Sequence, residues 1–257
     1  MIQIYPNQES LSFGAARLFV RQAGLACKDR GRFSVALSGG HTPQRTYELL
    51  AQSPFRDQVA WSQTHVFWGD ERCVPPEGPQ SNARVARLLL LEQVPIPPHQ
   101  IHPIFCARSP KEAAQDYEDL LRSFFGEGPT RLDLIFLGLG EDGHTASLFP
   151  QTPVLNEGKR WAAETYLPQQ DLYRVTLTPP LINQTAVVAF LVAGDTKAPI
   201  LKEVLEGPRH PHRYPAQLIH PSSGRLQWLV DKEAASQLSR ALLRAGSETA
   251  VFQVGRK

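Results

Sequence analysis

Short apolar runs alternate along the chain with segments of helical periodicity. Five runs rich in β-branched or aromatic residues predict strands, at Phe33–Leu37, His65–Trp68, Leu132–Leu137, Val187–Val192 and Leu226–Val230. Amphipathic spacing predicts helices between and after them, over Leu11–Ala26, Pro43–Ala51, Ala83–Glu92, Pro110–Phe125, Ala198–Leu205 and Ala234–Arg244. Several strands are almost wholly apolar, which is typical of a parallel sheet covered on both faces. The pattern predicts an α/β protein, with a Rossmann-like, mostly parallel sheet and helices on both faces.

The same pattern favours a single domain over residues 1–257. The chain shows no internal repeat and no low-complexity tract. The Pro-rich stretch Val94–Pro103 is the best candidate for a boundary, but it is short and its two flanks have the same α/β character. A chain of 257 residues is also within the range of one large α/β domain.

Composition and charge exclude several classes of protein. A hydrophobic fraction of 42% with 20% charged residues is that of a globular protein rather than a disordered one. The net charge of +2 comes without a dense Lys/Arg stripe, so we expect no nucleic-acid partner. No apolar run is long enough to span a membrane, and Met1–Pro6 does not open an export signal. Cys27, Cys73 and Cys106 form no C-x-x-C pair and predict reduced thiols in a cytoplasmic protein.

Candidate chemistry lies in the loops that follow the predicted strands, because ligands of such sheets bind beyond the carboxyl ends of the strands. The first loop, Ser38-Gly39-Gly40-His41-Thr42-Pro43, follows a strand and opens a helix. Its glycines let backbone N–H groups approach an anion closely, which predicts a phosphate cradle. The alternative is a tight turn in which a Ser or Thr side chain caps the helix.

The second loop brings three charged side chains to the end of an apolar strand. It reads Gly69-Asp70-Glu71-Arg72 and directly follows Trp68, which would shield it partly from water. Arg72 is suited to hold a phosphate or a carbonyl oxygen through charge-assisted hydrogen bonds. The alternative is a turn whose charges are solvated.

The third loop, Gly138-Leu139-Gly140-Glu141-Asp142-Gly143-His144-Thr145, contains a G-x-G-x-x-G, the pattern of dinucleotide-binding loops. In dinucleotide-binding proteins an acidic residue further along the sequence contacts the ribose, and Glu164 lies at about the right number of residues downstream of the loop. However, Pro150 interrupts the long helix that such a loop requires, and Asp142 has the wrong charge for a pyrophosphate site. The sequence therefore argues against a nicotinamide or flavin cofactor.

Asp142 and His144 are better interpreted as an acid–base pair. The ordinary pKa of histidine, about 6.5, suits proton transfer near neutrality, and a nearby carboxylate orients the ring. The chain has no G-x-S-x-G elbow for a serine nucleophile and no H-E-x-x-H zinc motif. We therefore expect no metal and no cofactor. Hydrolysis without either is plausible for an activated carbonyl such as a lactone.

These loops together resemble the 6-phosphogluconolactonases, in a family shared with the glucosamine-6-phosphate isomerases. Further matching segments follow in family order, namely Val74-Pro75, Ser81-Asn82, Ala146-Ser147-Leu148-Phe149-Pro150, Arg174-Val175-Thr176-Leu177-Thr178, Gly194-Asp195-Thr196-Lys197-Ala198 and Trp228-Leu229-Val230-Asp231. The resemblance covers nearly the whole chain and is specific as a combination. It departs from the family pattern at His41, where the family varies, and at Cys73, where an aromatic residue is common.

The resemblance implies an enzyme that hydrolyses 6-phospho-D-glucono-1,5-lactone to 6-phospho-D-gluconate in the oxidative pentose phosphate pathway. Our hypothesis for the mechanism is that His144, oriented by Asp142, activates water and that Arg72 stabilises the oxyanion, while the resemblance leaves Arg72 shared between phosphate and lactone oxygens. The residues that the resemblance places at or beside the substrate phosphate are Ser38, Gly39, Gly40, Thr42, Arg174 and Lys197. We expect Asp70 to belong to the substrate- and phosphate-binding residues as well. Asp142 as the base itself, and Arg72 as a phosphate ligand, remain alternatives. We expect a monomer whose partner is the phosphosugar lactone.

Two other functions are compatible with parts of the pattern. The chain also resembles the deaminases of amino-sugar phosphates, which share the fold and the first two loops. That resemblance implies a glutamate in the deaminases at the position where this chain has Phe149. A non-catalytic phosphosugar sensor would have little need of the Asp142/His144 pair, and the sequence shows no helix-turn-helix pattern.

Overall fold

The central sheet is formed by the five apolar runs and by one further strand near the start of the chain, Ile2–Tyr5. In a computed structural model that describes residues 1–126 and 132–244, six parallel strands lie in the order β1-β9-β8-β5-β2-β3. They are β1 (Ile2–Tyr5), β2 (Phe33–Leu37), β3 (Thr64–Trp68), β5 (Leu134–Leu137), β8 (Val187–Val192) and β9 (Arg225–Asp231). Every residue of β2, β5 and β8 is buried. Because successive side chains point to opposite faces, both faces of the central sheet are covered, which confirms the predicted fold class.

A second, smaller sheet lies beside the first. Within the described residues it consists of three antiparallel strands in the order β4-β7-β6, namely β4 (Asp70–Arg72), β7 (Leu172–Leu177) and β6 (Ala162–Leu167). The prediction of a loop over residues 69–72 is therefore wrong for its charged part. Asp70 is paired with Thr176 and Arg72 with Arg174, so tertiary pairing overrides the low strand propensity of acidic residues.

Most helices follow the amphipathic segments with shifted ends, whereas the short helix Pro179–Ile182 was not predicted. They are α1 (Gln8–Arg30), α2 (Gln44–Leu50), α3 (Asn82–Ala86), α4 (Pro110–Phe125), α5 (Pro179–Ile182) and α6 (Ala198–Glu206), and a π-helical turn over Arg87–Leu91 extends α3. The bounds of α4 are as predicted because a Ser109/Glu112 capping box begins it and Gly126 follows it. The helix predicted over Ala234–Arg244 is wrong in its first part, which is turn through Gln237, and helical residues begin at Arg240.

The prediction of three reduced thiols is wrong for two of them. Cys73 and Cys106 form a disulfide across 33 residues of sequence, with Cα atoms 5.1 Å apart. Their spacing could not reveal this bond, because the two cysteines are brought together by the fold. Cys106 follows a segment that pairs with β3 through a hydrogen bond from the His102 N–H to the Val66 carbonyl. Cys27 remains a free thiol, and burial, with the charge of Asp133, raises its pKa.

Nearly all buried apolar residues of both sheets and the helices form one hydrophobic cluster in the described part of the chain, Leu167 and Ala198 excepted. This continuity supports the proposal of a single domain. Because the strands of the large sheet are parallel, the loops after β2, β3, β5 and β8 all lie at its carboxyl edge. β4 and β7 approach the same edge, since the Gly69 N–H bonds to the Leu37 carbonyl and the Leu177 N–H bonds to the Gly69 carbonyl.

Candidate active site

A cavity of about 430 Å³ at the carboxyl edge gathers most of the predicted site residues. Its lining includes, of those predicted, Ser38, Gly39, Gly40, Thr42, Asp70, Arg72, His144, Arg174 and Lys197. Asp142 does not line this cavity but contacts His144 from a neighbouring one. The lining also contains residues without a predicted role, among them Gln8, His41, Asn82 and Gly140.

The imidazole of His144 is held by Asp142. The distance from His144 Nδ1 to Asp142 Oδ1 is 2.5 Å, and the His144 backbone N–H donates to the same oxygen at 3.1 Å. A carboxylate only accepts hydrogen bonds, so in the neutral imidazole Nδ1 carries the proton and Nε2 has the free lone pair. Burial tends to raise the pKa of Asp142, but the hydrogen bonds and charge of His144 outweigh it and lower the pKa below its ordinary value.

Two further contacts fix the position of the His144 ring. The Gly140 N–H donates to the His144 carbonyl at 2.8 Å, and a Cβ added to Gly140 would lie 2.0 Å from His144 Nδ1. Only glycine allows the ring to lie this close to the backbone. On the ring itself, the side chain of Phe149 stacks with a centroid distance of 4.0 Å and an interplanar angle of 24°.

Three basic side chains face the cavity. Arg174 is buried, with Nη2 donating to Gln170 Oε1 at 2.7 Å and Nη1 3.8 Å from Asp70 Oδ2. Arg72 Nη1 donates to the Gln80 carbonyl at 2.6 Å, and Lys197 Nζ lies 3.7 Å from Glu141 Oε1.

The electrostatics of this group favour an anionic ligand. Burial lowers the pKa of Arg174, and although Asp70 opposes this shift, the charge of Arg72 adds to it. Within the described residues, the Nε atoms of Arg72 and Arg174 and the Oγ of Ser38 are buried without a hydrogen-bond partner. Such donors are costly to bury unless a ligand satisfies them.

The loop after β2 is held by its own helix. The hydroxyl of Tyr47 donates to the Ser38 carbonyl at 2.7 Å and accepts from the Ser38 N–H at 3.0 Å. Gly39 packs against the Asn82 side chain so closely that an added Cβ would lie 1.9 Å from its Oδ1. Pro43 precedes the first residue of α2, and no side chain caps this helix. The alternative interpretation, in which Ser or Thr serves as a helix cap, is therefore wrong.

The two acidic residues of β4 point into the protein rather than to solvent. Asp70 accepts from Ser147 Oγ at 2.6 Å and lies beside Arg174. Glu71 accepts from the backbone N–H groups of Arg72, Asn82 and Ala83 and from Ser81 Oγ, while burial raises its pKa. The alternative of solvated charges is thus wrong for both. Their partners come from distant segments, so local sequence carried no signal of these contacts.

Comparisons with known proteins show which sequences and folds this chain is similar to. Residues 6–228 match the family model described as glucosamine-6-phosphate isomerases/6-phosphogluconolactonase. A 6-phosphogluconolactonase of Synechocystis is 47% identical over 242 residues, which cover 92% of this chain and 98% of that protein. Among solved structures, 6-phosphogluconolactonase from Trypanosoma brucei superposes with a TM-score of 0.80 at 29% identity, covering 93% of this chain and 98% of the other.

A structural relative of different activity is also similar. A monomeric glucosamine-6-phosphate deaminase superposes with a TM-score of 0.79 at 21% identity, covering 92% of this chain and 99% of the other, which indicates a common fold alone. No helix among the described residues is both long and apolar enough to cross a membrane. In residues 1–126 and 132–244, no three His, Cys, Asp or Glu side chains are grouped so that they could hold a metal ion.

Proposed function

The chain belongs to the glucosamine-6-phosphate isomerase/6-phosphogluconolactonase family, and from this premise we propose how it hydrolyses 6-phospho-D-glucono-1,5-lactone to 6-phospho-D-gluconate. The observation that carries the proposal is the Asp142–His144 pair. With Nδ1 bound to the carboxylate, His144 offers Nε2 as a base at the cavity that also contains Arg72, Arg174 and Lys197.

In the proposed reaction, His144 Nε2 takes a proton from a water molecule as the water oxygen bonds to the lactone carbonyl carbon. The carbonyl oxygen becomes an oxyanion, which Arg72 stabilises. When this intermediate collapses, the bond from carbon to the ring oxygen breaks, and the ring oxygen takes the proton from His144. One donor to an oxyanion contributes about 2.7–4 kcal/mol, and general-base assistance typically adds about 10²–10⁴-fold in rate. The reaction as proposed uses no metal and no cofactor.

The substrate phosphate is proposed to bind in the same cavity, beside the loop that follows β2. Ser38, Gly39, Gly40 and Thr42 supply hydrogen-bond donors, and Arg174 and Lys197 supply positive charge. Support comes from the unpartnered donors Ser38 Oγ and Arg174 Nε, which an anion would satisfy. Asp70 supports this site indirectly, because its carboxylate lies beside the guanidinium of Arg174.

Phe149 argues against a deaminase, and the Asp142–His144 pair argues against a non-catalytic sensor. A deaminase of an amino-sugar phosphate would need a proton-transferring group where Phe149 stacks on His144, and a phenyl ring cannot move a proton. A sensor would need no base, whereas the Asp142–His144 contact leaves a nitrogen free for catalysis. We also propose, from the sequence, that the enzyme is a cytoplasmic monomer that binds no nucleic acid.

The test is the decay of freshly generated 6-phosphoglucono-δ-lactone near neutral pH. Buffer alone gives the spontaneous rate, and the wild-type protein is compared with His144→Ala, Asp142→Asn and the matched control His220→Ala, which removes an exposed histidine. We expect the wild type and the control to accelerate decay equally. His144→Ala should lose at least about a hundredfold in turnover, because the general base is gone.

Each result decides one part of the proposal. Full turnover by His144→Ala would exclude this residue as the base. A larger loss in Asp142→Asn than in His144→Ala would favour Asp142 in that role. If the wild type does no better than buffer, a lactonase activity is refuted, and release of ammonia from glucosamine 6-phosphate would then identify a deaminase.

A further inference from the structure

Phe149 is a half-buried aromatic residue whose ring contacts are with the active site. In the described part of the chain, it lies outside the hydrophobic core cluster and is not packed against that cluster. Its ring stacks on the imidazole of His144 at 4.0 Å, and the guanidinium carbon of Arg174 lies 5.2 Å from its centroid. The neighbouring Leu148, in contrast, is completely buried in the core. Stabilising the fold therefore does not account for Phe149.

The backbone is bent in a way that returns Phe149 to His144. The Leu148 N–H donates to the Thr145 carbonyl at 2.9 Å, and Thr145 and Leu148 form an isolated β-bridge. Between them, Ala146 has a φ of 48°, a left-handed conformation that is unfavourable for a residue with a Cβ. Backbone strain of this kind persists where the surrounding structure imposes it, commonly at functional sites. Here its result is the stacked pair of rings.

The stack supplies a constraint that the other contacts of His144 do not. The hydrogen bond from Nδ1 to Asp142 fixes one edge of the imidazole but leaves the ring free to tilt about that bond. Gly140 limits this movement on the side of its Cα. A flat ring at 4.0 Å limits it through face-to-face contact, and it also covers part of the imidazole surface from water. We propose that Phe149 is a positioning residue that holds His144 Nε2 toward the bound lactone.

The same ring touches Arg174, but that side chain has other supports. Its Nη2 donates to Gln170 and its Nη1 faces Asp70, so loss of Phe149 leaves two polar contacts in place. Among the described residues, Phe149 is the only aromatic ring stacked on His144, and the variant would lose this contact. The effect of removing Phe149 should therefore appear in turnover more than in binding of the phosphosugar.

The chain offers a control for this experiment in Phe124. This residue is also half-buried and also contacts a histidine ring, that of His65 at 4.7 Å, and an arginine, Arg32, whose guanidinium carbon lies 4.5 Å from its ring. It belongs to α4 and packs at the amino-terminal side of β3, away from the cavity. Unlike Phe149, it packs against the hydrophobic core, and its ring also contacts Phe67, His102 and Phe125. Phe124→Leu therefore removes the same atoms and at least as many contacts without touching the active site.

The experiment compares wild type, Phe149→Leu, Phe149→Tyr and Phe124→Leu by kcat and KM for the lactone, Kd for the product 6-phosphogluconate, and Tm. We expect kcat of Phe149→Leu to fall at least about tenfold, since small displacements of a catalytic group cost up to about 10²-fold. The product Kd should stay within about threefold, because Arg174 keeps its polar partners. Phe149→Tyr, which restores the ring, should recover kcat, and Phe124→Leu should leave it unchanged.

The inference rests on the proposed function, but different experimental results would refute the two proposals. If the wild type is active and His144→Ala is not, while Phe149→Leu retains full kcat, then the positioning role is refuted and the proposed function stands. A fall in kcat accompanied by an equal loss of product affinity, or one not recovered by Phe149→Tyr, would also refute it. Absence of wild-type activity would refute the proposed function first.

Discussion

At the scale of single residues, Gly140 shows how the absence of one methyl group makes room for the catalytic pair. A Cβ at this position would lie 2.0 Å from His144 Nδ1 and 2.6 Å from Asp142 Oδ1, so one substitution would separate the two side chains. We predict that Gly140→Ala lowers kcat/KM at least about a hundredfold, through displacement of the base. Steady-state kinetics with the δ-lactone measure the loss.

The matched control for this prediction is Gly158→Ala, because a Cβ there meets no atom within 4 Å. Circular dichroism and thermal unfolding of both variants separate a local displacement from loss of the fold. If Gly140→Ala keeps wild-type kinetics, the close packing of His144 against Gly140 is irrelevant to catalysis.

At this scale the sequence predicted contacts correctly where the two reactive residues are close together along the chain. Asp142 and His144 lie two residues apart in a glycine-rich loop, so their contact follows from local geometry. Asp70 and Ser147 are 77 residues apart, and their 2.6 Å hydrogen bond depends on how the two sheets meet. The sequence showed that Phe149 distinguishes this chain from the deaminases. It could not show that Phe149 stacks on His144, because the stack depends on the left-handed backbone of Ala146, for which the sequence gives no signal.

At the scale of elements, Ser147 joins the catalytic loop to the small sheet. Its Oγ donates to Asp70 Oδ2 on β4, and its N–H donates at 3.1 Å to Thr176 Oγ1 on β7. Ser147→Ala leaves the buried Asp70 carboxylate without this donor, which should cost about 1–3 kcal/mol in the free energy of unfolding. For a chain of this size, each kcal/mol lowers Tm by about 2–4 °C. We also expect KM for the lactone to rise, because Asp70 lies beside Arg174.

The control is Ser222→Ala, which removes an exposed hydroxyl with a long, 3.4 Å hydrogen bond to the Asn183 carbonyl. Differential scanning calorimetry of both variants measures the difference. Equal melting temperatures would mean that the Ser147–Asp70 bond does not stabilise the junction of the sheets.

The sequence predicted correctly those helices and strands whose own residues favour the observed conformation, and it missed those that depend on tertiary contacts. The bounds of β2 and β8 are as predicted, because continuous burial requires continuous apolar sequence. β4 was not predicted, because three charged residues form a strand here only through pairing with β7. The segment after β9 has helical periodicity, yet Asp231 accepts from the Ala234 N–H and the Gly194 N–H, which stabilises a turn there instead.

At the scale of the whole molecule, the parallel sheet separates the catalytic edge from a histidine cluster near the amino-terminal end of β3. His65 Nδ1 lies 3.2 Å from His102 Nε2, and His102 also stacks on Phe67 at 4.6 Å. Burial, followed by the charges of His65 and His99, lowers the pKa of His102 to about 4. Burial also lowers the pKa of His65, to which Arg32 and His99 contribute.

This arrangement predicts an acid sensitivity of the fold that is independent of catalysis. The unfolded chain binds a proton at His102 below its ordinary pKa of about 6.5, whereas the folded chain does so only near pH 4. Stability is therefore lost as pH falls from about 6.5 to about 4, and no further loss from this group follows below that. Because the ring is partly exposed, we discount the effect for solvent screening to about 1 kcal/mol.

The variant His102→Gln removes this titration and keeps a polar side chain beside His65. We predict that the decrease in Tm between pH 7.5 and pH 4.5 is about 2–4 °C smaller in His102→Gln than in wild type. The variant's kcat at pH 7.5 should equal that of wild type, because the cluster lies away from the cavity. His220→Gln, at an exposed histidine, controls for the loss of a titratable ring. An unchanged pH dependence of Tm would mean that His102 titrates alike in the folded and unfolded chain, whereas a loss of kcat would mean that the two ends of the sheet are coupled.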